Sequence, residues 1–287
     1  MRPLFKAIGF ILIAMFSIQF GASLAKQIFP VAGPAGLTAL RVTMSALILC
    51  LFTRVWKHKI SWQDMPMIAA YGLSLGFMNL LFYFSLEKIP LGVAVALEFV
   101  GPLSVALLFS QNKWDFLWVL LAGLGIYLIL PSGNAPEALN VQGVLLALGA
   151  GFFWALYIIF GKAAAKRGES RHVSALGMVF AALVALPAGF IFNGAEIQNL
   201  SLWPQGFMIA ILSSALPYSL EMKAMKDLPA KTFGVLMSME PAVATLMGIL
   251  ILKEVLTVWQ WVAIACVIVA SAGSSLTANS ARSSVDS

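Results

Sequence analysis

The sequence predicts an all-α polytopic membrane protein, with ten transmembrane helices arranged as two inverted five-helix repeats. Three observations carry that prediction. First, the 287 residues are 61% hydrophobic and 10% charged, with a mean hydropathy of +0.93; a soluble domain carries about 25% charge. Second, the apolar residues come in blocks of about 20, the span an α-helix needs to cross a bilayer. Third, the Lys and Arg residues between the blocks fall mostly in alternate loops, and so on one side. Strand-type alternation with period two is absent, which argues against an outer-membrane barrel.

The apolar blocks, bounded by charged or Pro/Gly-marked breaks, place helices over about 5–24, 35–53, 66–86, 91–110, 114–131, 141–161, 173–193, 203–222, 230–251 and 257–276. Arg2, Lys6 and the apolar run ending in "SLA" resemble a signal peptide with a cleavage site before Lys26. The repeat described below needs this segment as a helix, so it is read as the first span. The small, polar residues 279–287 are expected to be a disordered tail. With the N-terminus placed in the cytoplasm, fourteen of the 18 Lys and Arg residues lie at cytoplasmic ends and loops, among them Arg2, Lys6, Arg54, Lys162, Arg167 and Lys223. The other face holds only Lys26, Lys88 and Lys253, and Arg41 lies inside the second helix. This split puts both termini in the cytoplasm of a cell whose inner membrane the chain crosses ten times.

The net charge of +6 reports this topology and an anionic leaflet rather than nucleic acid, because no basic stripe follows any one helix. Cys50 and Cys266 sit inside apolar blocks without a CxxC or Cys/His pattern, so no disulfide framework and no metal site is expected. A phosphate-binding Gly-rich loop is also absent, so no cofactor and no primary pump is expected.

Internal repetition supports the helix count. Ser74 matches Ser213, Pro90 matches Pro229 and Pro102 matches Pro241, all 139 residues apart. "TALRVTMSALIL" (Thr38–Leu49) lies against "SALGMVFAALVA" (Ser174–Ala185), 136 residues apart. The repeats are read as 1–135 and 136–278. Five helices is an odd number, so the second half enters the membrane from the opposite side, an architecture associated with secondary transporters.

Glu98, in "AVALEFVGPLSVALL", lies near the middle of the fourth helix. A charged residue there costs roughly 2.5–3.5 kcal/mol on insertion scales, and such residues face a bundle interior or a wet cavity and mark a pathway or proton relay. Pro102 has no N–H, so the carbonyl of Glu98 loses its helical partner and is free to face a cavity. In the second half Glu240 precedes Pro241, beside the matching break; it aligns with Gly101, so the two carboxylates are not strictly equivalent. Both are candidates for substrate binding and proton coupling. Glu221, near the end of helix eight, is read as interfacial or as a site residue. Arg41 is read as snorkelling outward, pairing with a carboxylate, or holding a substrate carboxylate; its repeat counterpart is Gly177. Gln19 with Ser23, Asn79 with Tyr83, and Trp154 with Tyr157 each share a helical face. Tyr218 aligns with Asn79. These residues line the same space or pack the helices.

"SIQFGASLAK", "GLTALR", "PLGVAVALEFVGPL", "LGAGFFWALYI", "LPYSLEM" and "TFGVLMSMEPA" resemble the threonine/homoserine exporter branch of the EamA family, within the drug/metabolite transporter superfamily. The resemblance runs over nearly the whole chain. It implies a ten-helix inner-membrane carrier of two EamA repeats around a central cavity, exporting small amino acids by proton antiport. The alternative on the same fold is another cargo, such as an aromatic amino acid or a drug-like cation. The expected partners are an amino acid, protons and the bilayer. No oligomeric state is implied: faces such as "GLGIYL" (Gly123–Leu128) pack within the chain or between chains, and one chain has enough helices to enclose a site. A membrane enzyme is disfavoured because His58 and His172 are expected in cytoplasmic loops without acidic partners. A multi-subunit channel is disfavoured by the internal duplication. A scaffold leaves two buried carboxylates unexplained.

Overall fold

A computed structural model describes residues 2–57, 61–108, 115–129, 139–165, 170–217, 220, 224 and 236–277. His58, Tyr218, Glu221 and the 279–287 tail lie outside the described residues. Among the described residues every apolar block is helical: α1 (Arg2–Ala32), α2 (Pro34–Thr53), α3 (Met65–Leu86), α4 (Leu91–Glu98), α5 (Val100–Leu108), α6 (Asp115–Ile129), α7 (Val141–Ala165), α8 (Ser170–Gln198), α9 (Trp203–Ala210), α10 (Glu240–Leu252) and α11 (Val258–Thr277). α4 and α5 form one span, interrupted only at Phe99. α9 runs on through a π turn, Ile211–Ala215. These elements make ten spans, five of them single helices long and apolar enough to cross a membrane.

α1 departs from its expected limit. It passes through Lys26 and continues to Ala32 with Pro30 inside it. Lys26 does not end the helix because its ammonium is taken up by Glu254 and by the Ile89 carbonyl. His172 also departs from expectation: it is buried within α8 rather than in a loop.

The packing repeats between the two halves. α2 packs on α8, α6 on α11 and α4 on α10, each pair being the same span in the two halves. α3 packs on α7 as the π turn packs on α1, and α4 packs on α7 as α10 packs on α1. The helix interruptions obey the same relation. Phe99 and Ser238, where the two broken spans turn, are 139 residues apart, the separation that relates Pro102 to Pro241. In each case the proline removes the amide that the carbonyl four residues earlier would have received.

Candidate binding site

Arg41 does not snorkel. It is 3% exposed, and its guanidinium lies inside the bundle over the Tyr83 ring, 4.7 Å from the centroid, a cation–π contact. One terminal nitrogen donates to Asn79 Oδ1; the other donates to Ser214 Oγ at 3.2 Å and reaches the Ser213 carbonyl at 3.5 Å. Asn79 Nδ2 donates to the Leu75 carbonyl at 2.8 Å, which fixes the amide with its oxygen toward the arginine. The four-residue spacing of Asn79 and Tyr83 on α3 thus converges on one cation.

The π turn supplies the remaining acceptors. A π turn shifts the helical register and releases backbone carbonyls. Ser45 Oγ donates to the Ala210 carbonyl at 3.2 Å, Ser17 Oγ to the Leu212 carbonyl at 2.7 Å, and Arg41 reaches that of Ser213. Side chains from α1 and α2 therefore satisfy the distorted turn. Ser213 and Ser214 escaped the sequence reading as site residues, because no local signal in "ILSSA" distinguishes a π turn from α-helix.

Glu98 and Glu240 are 6% and 5% exposed. Glu98 is the last residue of α4 and Glu240 the first of α10, so the carboxylates flank the matching interruptions from opposite sides. Glu98 interacts electrostatically with both Glu240 and Arg41. Gln19 Nε2 donates to Glu240 Oε1 at 3.0 Å, and the start of α10 favours an anion there. The freed carbonyl of Glu98 does not open on a cavity as expected. It faces α7 at Gly151, where an added Cβ would lie 2.6 Å from the oxygen. Only glycine allows that approach, which presses α4 against α7.

The other candidates divide. Trp154 stands edge-on to Phe99, with centroids 5.4 Å apart at 88°, beside the interruption that follows Glu98. Tyr157 stacks on Tyr71 at 5.0 Å and 29°. Tyr71 precedes Tyr83 by twelve residues on α3, about 18 Å along the axis, so Tyr157 is not brought to the charged cluster. Among the described residues, Arg41 Nε, Glu240 Oε2 and Gln19 Oε1 are buried with no hydrogen-bond partner within the chain. The large majority of buried side-chain polar atoms have a partner, so these three atoms mark hydrogen-bonding capacity that the described residues do not use.

Comparison with known proteins agrees with this architecture. The profile of the EamA-like transporter family matches residues 141–276. The chain is 48% identical over 276 residues to the threonine/homoserine exporter RhtA of Escherichia coli (strain K12), covering 96% of this chain and 93% of that one. RhtA of Salmonella typhimurium (strain SL1344) matches to the same extent. The uncharacterized transporter YwfM of Bacillus subtilis (strain 168) is 27% identical over 235 residues, covering 77% of this chain and 76% of that one. A crystal structure with 19% identity superposes at a TM-score of 0.65 over 94% of this chain and 99% of that chain, and so shares the fold.

Proposed function

The chain belongs to the EamA-like transporter family, in its threonine/homoserine exporter branch, and from that premise we propose that it exports small amino acids across the bacterial inner membrane in exchange for protons. Residues 1–135 and 136–278 are the two repeats, and both termini lie in the cytoplasm, where the Lys and Arg residues concentrate.

One observation carries the reading. Arg41, Glu98 and Glu240 are all buried, on helices drawn from both halves, and Glu98 interacts electrostatically with each of the other two. An α-amino acid presents the complementary pair of charges. Its carboxylate suits the Arg41 guanidinium and the hydroxyls beside it, while its ammonium suits Glu98 or Glu240. The second cargo considered, a drug-like cation, has no use for Arg41 and is repelled by it. Asn79, Tyr83 and Gln19 hold the charged groups in place, and Trp154 walls the Glu98 side.

Proton coupling follows from competition. An ammonium and a proton seek the same carboxylate, and two carboxylates against one guanidinium leave a single excess negative charge when all are ionised. A proton entering from outside releases the amino acid there, and rocking of the two halves then returns the protonated site to the cytoplasm. The test is uptake of labelled threonine, homoserine and phenylalanine into inside-out proteoliposomes. Saturable uptake of the first two alone supports the reading. Preference for phenylalanine, or no saturable uptake of any by folded protein, overturns the cargo.

A further inference from the structure

A second charge cluster sits at the opposite end of the bundle from the N-terminus. Lys26 Nζ lies 2.7 Å from Glu254 Oε1 and donates to the Ile89 carbonyl at 2.7 Å. Glu254 also receives the Leu91 amide on both oxygens, at 2.9 and 3.1 Å. One residue along α1, Gln27 Nε2 donates to the Ile251 carbonyl at 3.1 Å. Lys26, Ile89 and Leu91 belong to the first half of the chain, and Ile251 and Glu254 to the second. Every one of these bonds except Lys26 to Ile89 and the Leu91 cap lies directly between α1 and the segment that ends α10; the cap joins that segment to α4.

The chain is bent to make this contact. Lys253 takes a left-handed conformation (φ 57°), and the Glu254 amide returns to the Gly248 carbonyl at 3.1 Å. The carboxylate then folds back over α10 at Gly248, where an added Cβ would strike its Oε2. Leu91 opens α4, and Glu98 closes the same helix seven residues later, about 10 Å along the axis. The ion pair therefore caps the helix that carries the buried carboxylate and ties it to α1 and to the second half.

We propose that Lys26 and Glu254 form the outer gate of the transporter: joined as here, they close the route between the charged site and the outside, and they separate when the halves rock apart. This rests on the transport reading above. The charge distribution assigns this face to the outside, since Lys26, Lys88 and Lys253 are its only basic residues. The chemistry suits a contact that must open repeatedly. The two side chains are 20% and 12% exposed, which shelters the pair from full screening, yet water rehydrates both groups as soon as they part. An apolar seal of the same extent would resist separation in proportion to its area.

The test is thiol accessibility in the full chain. In a Cys50→Ser, Cys266→Ser background, Ser23→Cys places a thiol one turn inward of Lys26 on the same helix face, at a position that is fully buried. Its labelling by a membrane-impermeant maleimide added to whole cells is expected to be slow. It should rise at least about fivefold in Lys26→Met and in Glu254→Gln, as expected from a population shift on losing a sheltered charge pair, and remain slow in Lys26→Arg. Glu254→Gln keeps an oxygen for the Leu91 amide, which separates the gate from the cap. Ala7→Cys, at the other end of α1, should label in inside-out vesicles no faster in either variant, because opening one side by rocking does not open the other. Unchanged Ser23→Cys labelling in either variant at normal membrane abundance overturns the gate, and so does a rise at both ends, which is general loosening. The labelling needs no substrate, so an error in the cargo appears in the uptake assay and an error in the gate appears here.

Discussion

Gln19 Nε2 donates to Glu240 Oε1 at 3.0 Å, so the first helix of one half holds the carboxylate of the broken span in the other. Glu240 has no other partner within the chain among the described residues; its second oxygen is unpaired. Gln19→Leu leaves the whole carboxylate unsatisfied, which costs about 1–3 kcal/mol. Thermal unfolding in detergent should show a lowered Tm, and apparent KM for threonine should rise. A variant with the Tm and KM of the parent would mean that the bond is incidental.

The proposed role of Arg41 is to hold the substrate carboxylate. Arg41→Gln keeps some hydrogen bonding and removes the charge, so transport of threonine should lose about 1.5–3 kcal/mol of binding, roughly ten- to hundredfold in KM. Threonine amide, which has no carboxylate, should compete poorly with labelled threonine in the parent and as well as threonine itself in the variant. Arg41→Lys should restore little, because a point charge does not reproduce the fork that reaches Asn79 and Ser214 together. Equal competition by the amide in the parent would remove Arg41 from the binding role.

The approach of α4 to α7 depends on Gly151. Gly151→Val places a branched side chain where an added Cβ alone lies 2.6 Å from the Glu98 carbonyl. Overpacking of this kind costs about 1–3 kcal/mol, and the displaced α4 carries Glu98 with it. Lower Tm together with lower transport is expected, with Gly151→Ala intermediate. Undiminished transport in Gly151→Val would show that Glu98 tolerates displacement and is not part of a fixed site.

The fold was legible because its signals are long and periodic: apolar blocks of bilayer length, Lys and Arg in alternate loops, and prolines recurring 139 residues apart. Part of the candidate cluster was legible too. A carboxylate in an apolar helix has few uses, and the spacing of Asn79 and Tyr83 puts both on one face, where they meet Arg41. What escaped depends on pairing between helices, which spacing within a helix does not encode. Gln19 and Glu240 are 221 residues apart, and Lys26 and Glu254 are 228 apart. Lys26 looked like the end of a helix, because an isolated lysine at an apolar boundary carries no sign of the acid that will bury it. Trp154 and Tyr157 share a face and pack against one apolar cluster, yet their rings meet different partners, Phe99 for one and Tyr71 for the other.

We propose that a proton and an amino acid exchange at Glu98. The most direct measurement traps a pH-sensitive dye inside inside-out proteoliposomes with an acidic lumen and adds threonine outside. Prompt alkalinisation of the lumen that saturates with threonine is expected, and none in Glu98→Gln that is folded and inserted at the same level. Saturable threonine uptake without alkalinisation in the parent, or alkalinisation that persists in Glu98→Gln, would contradict it.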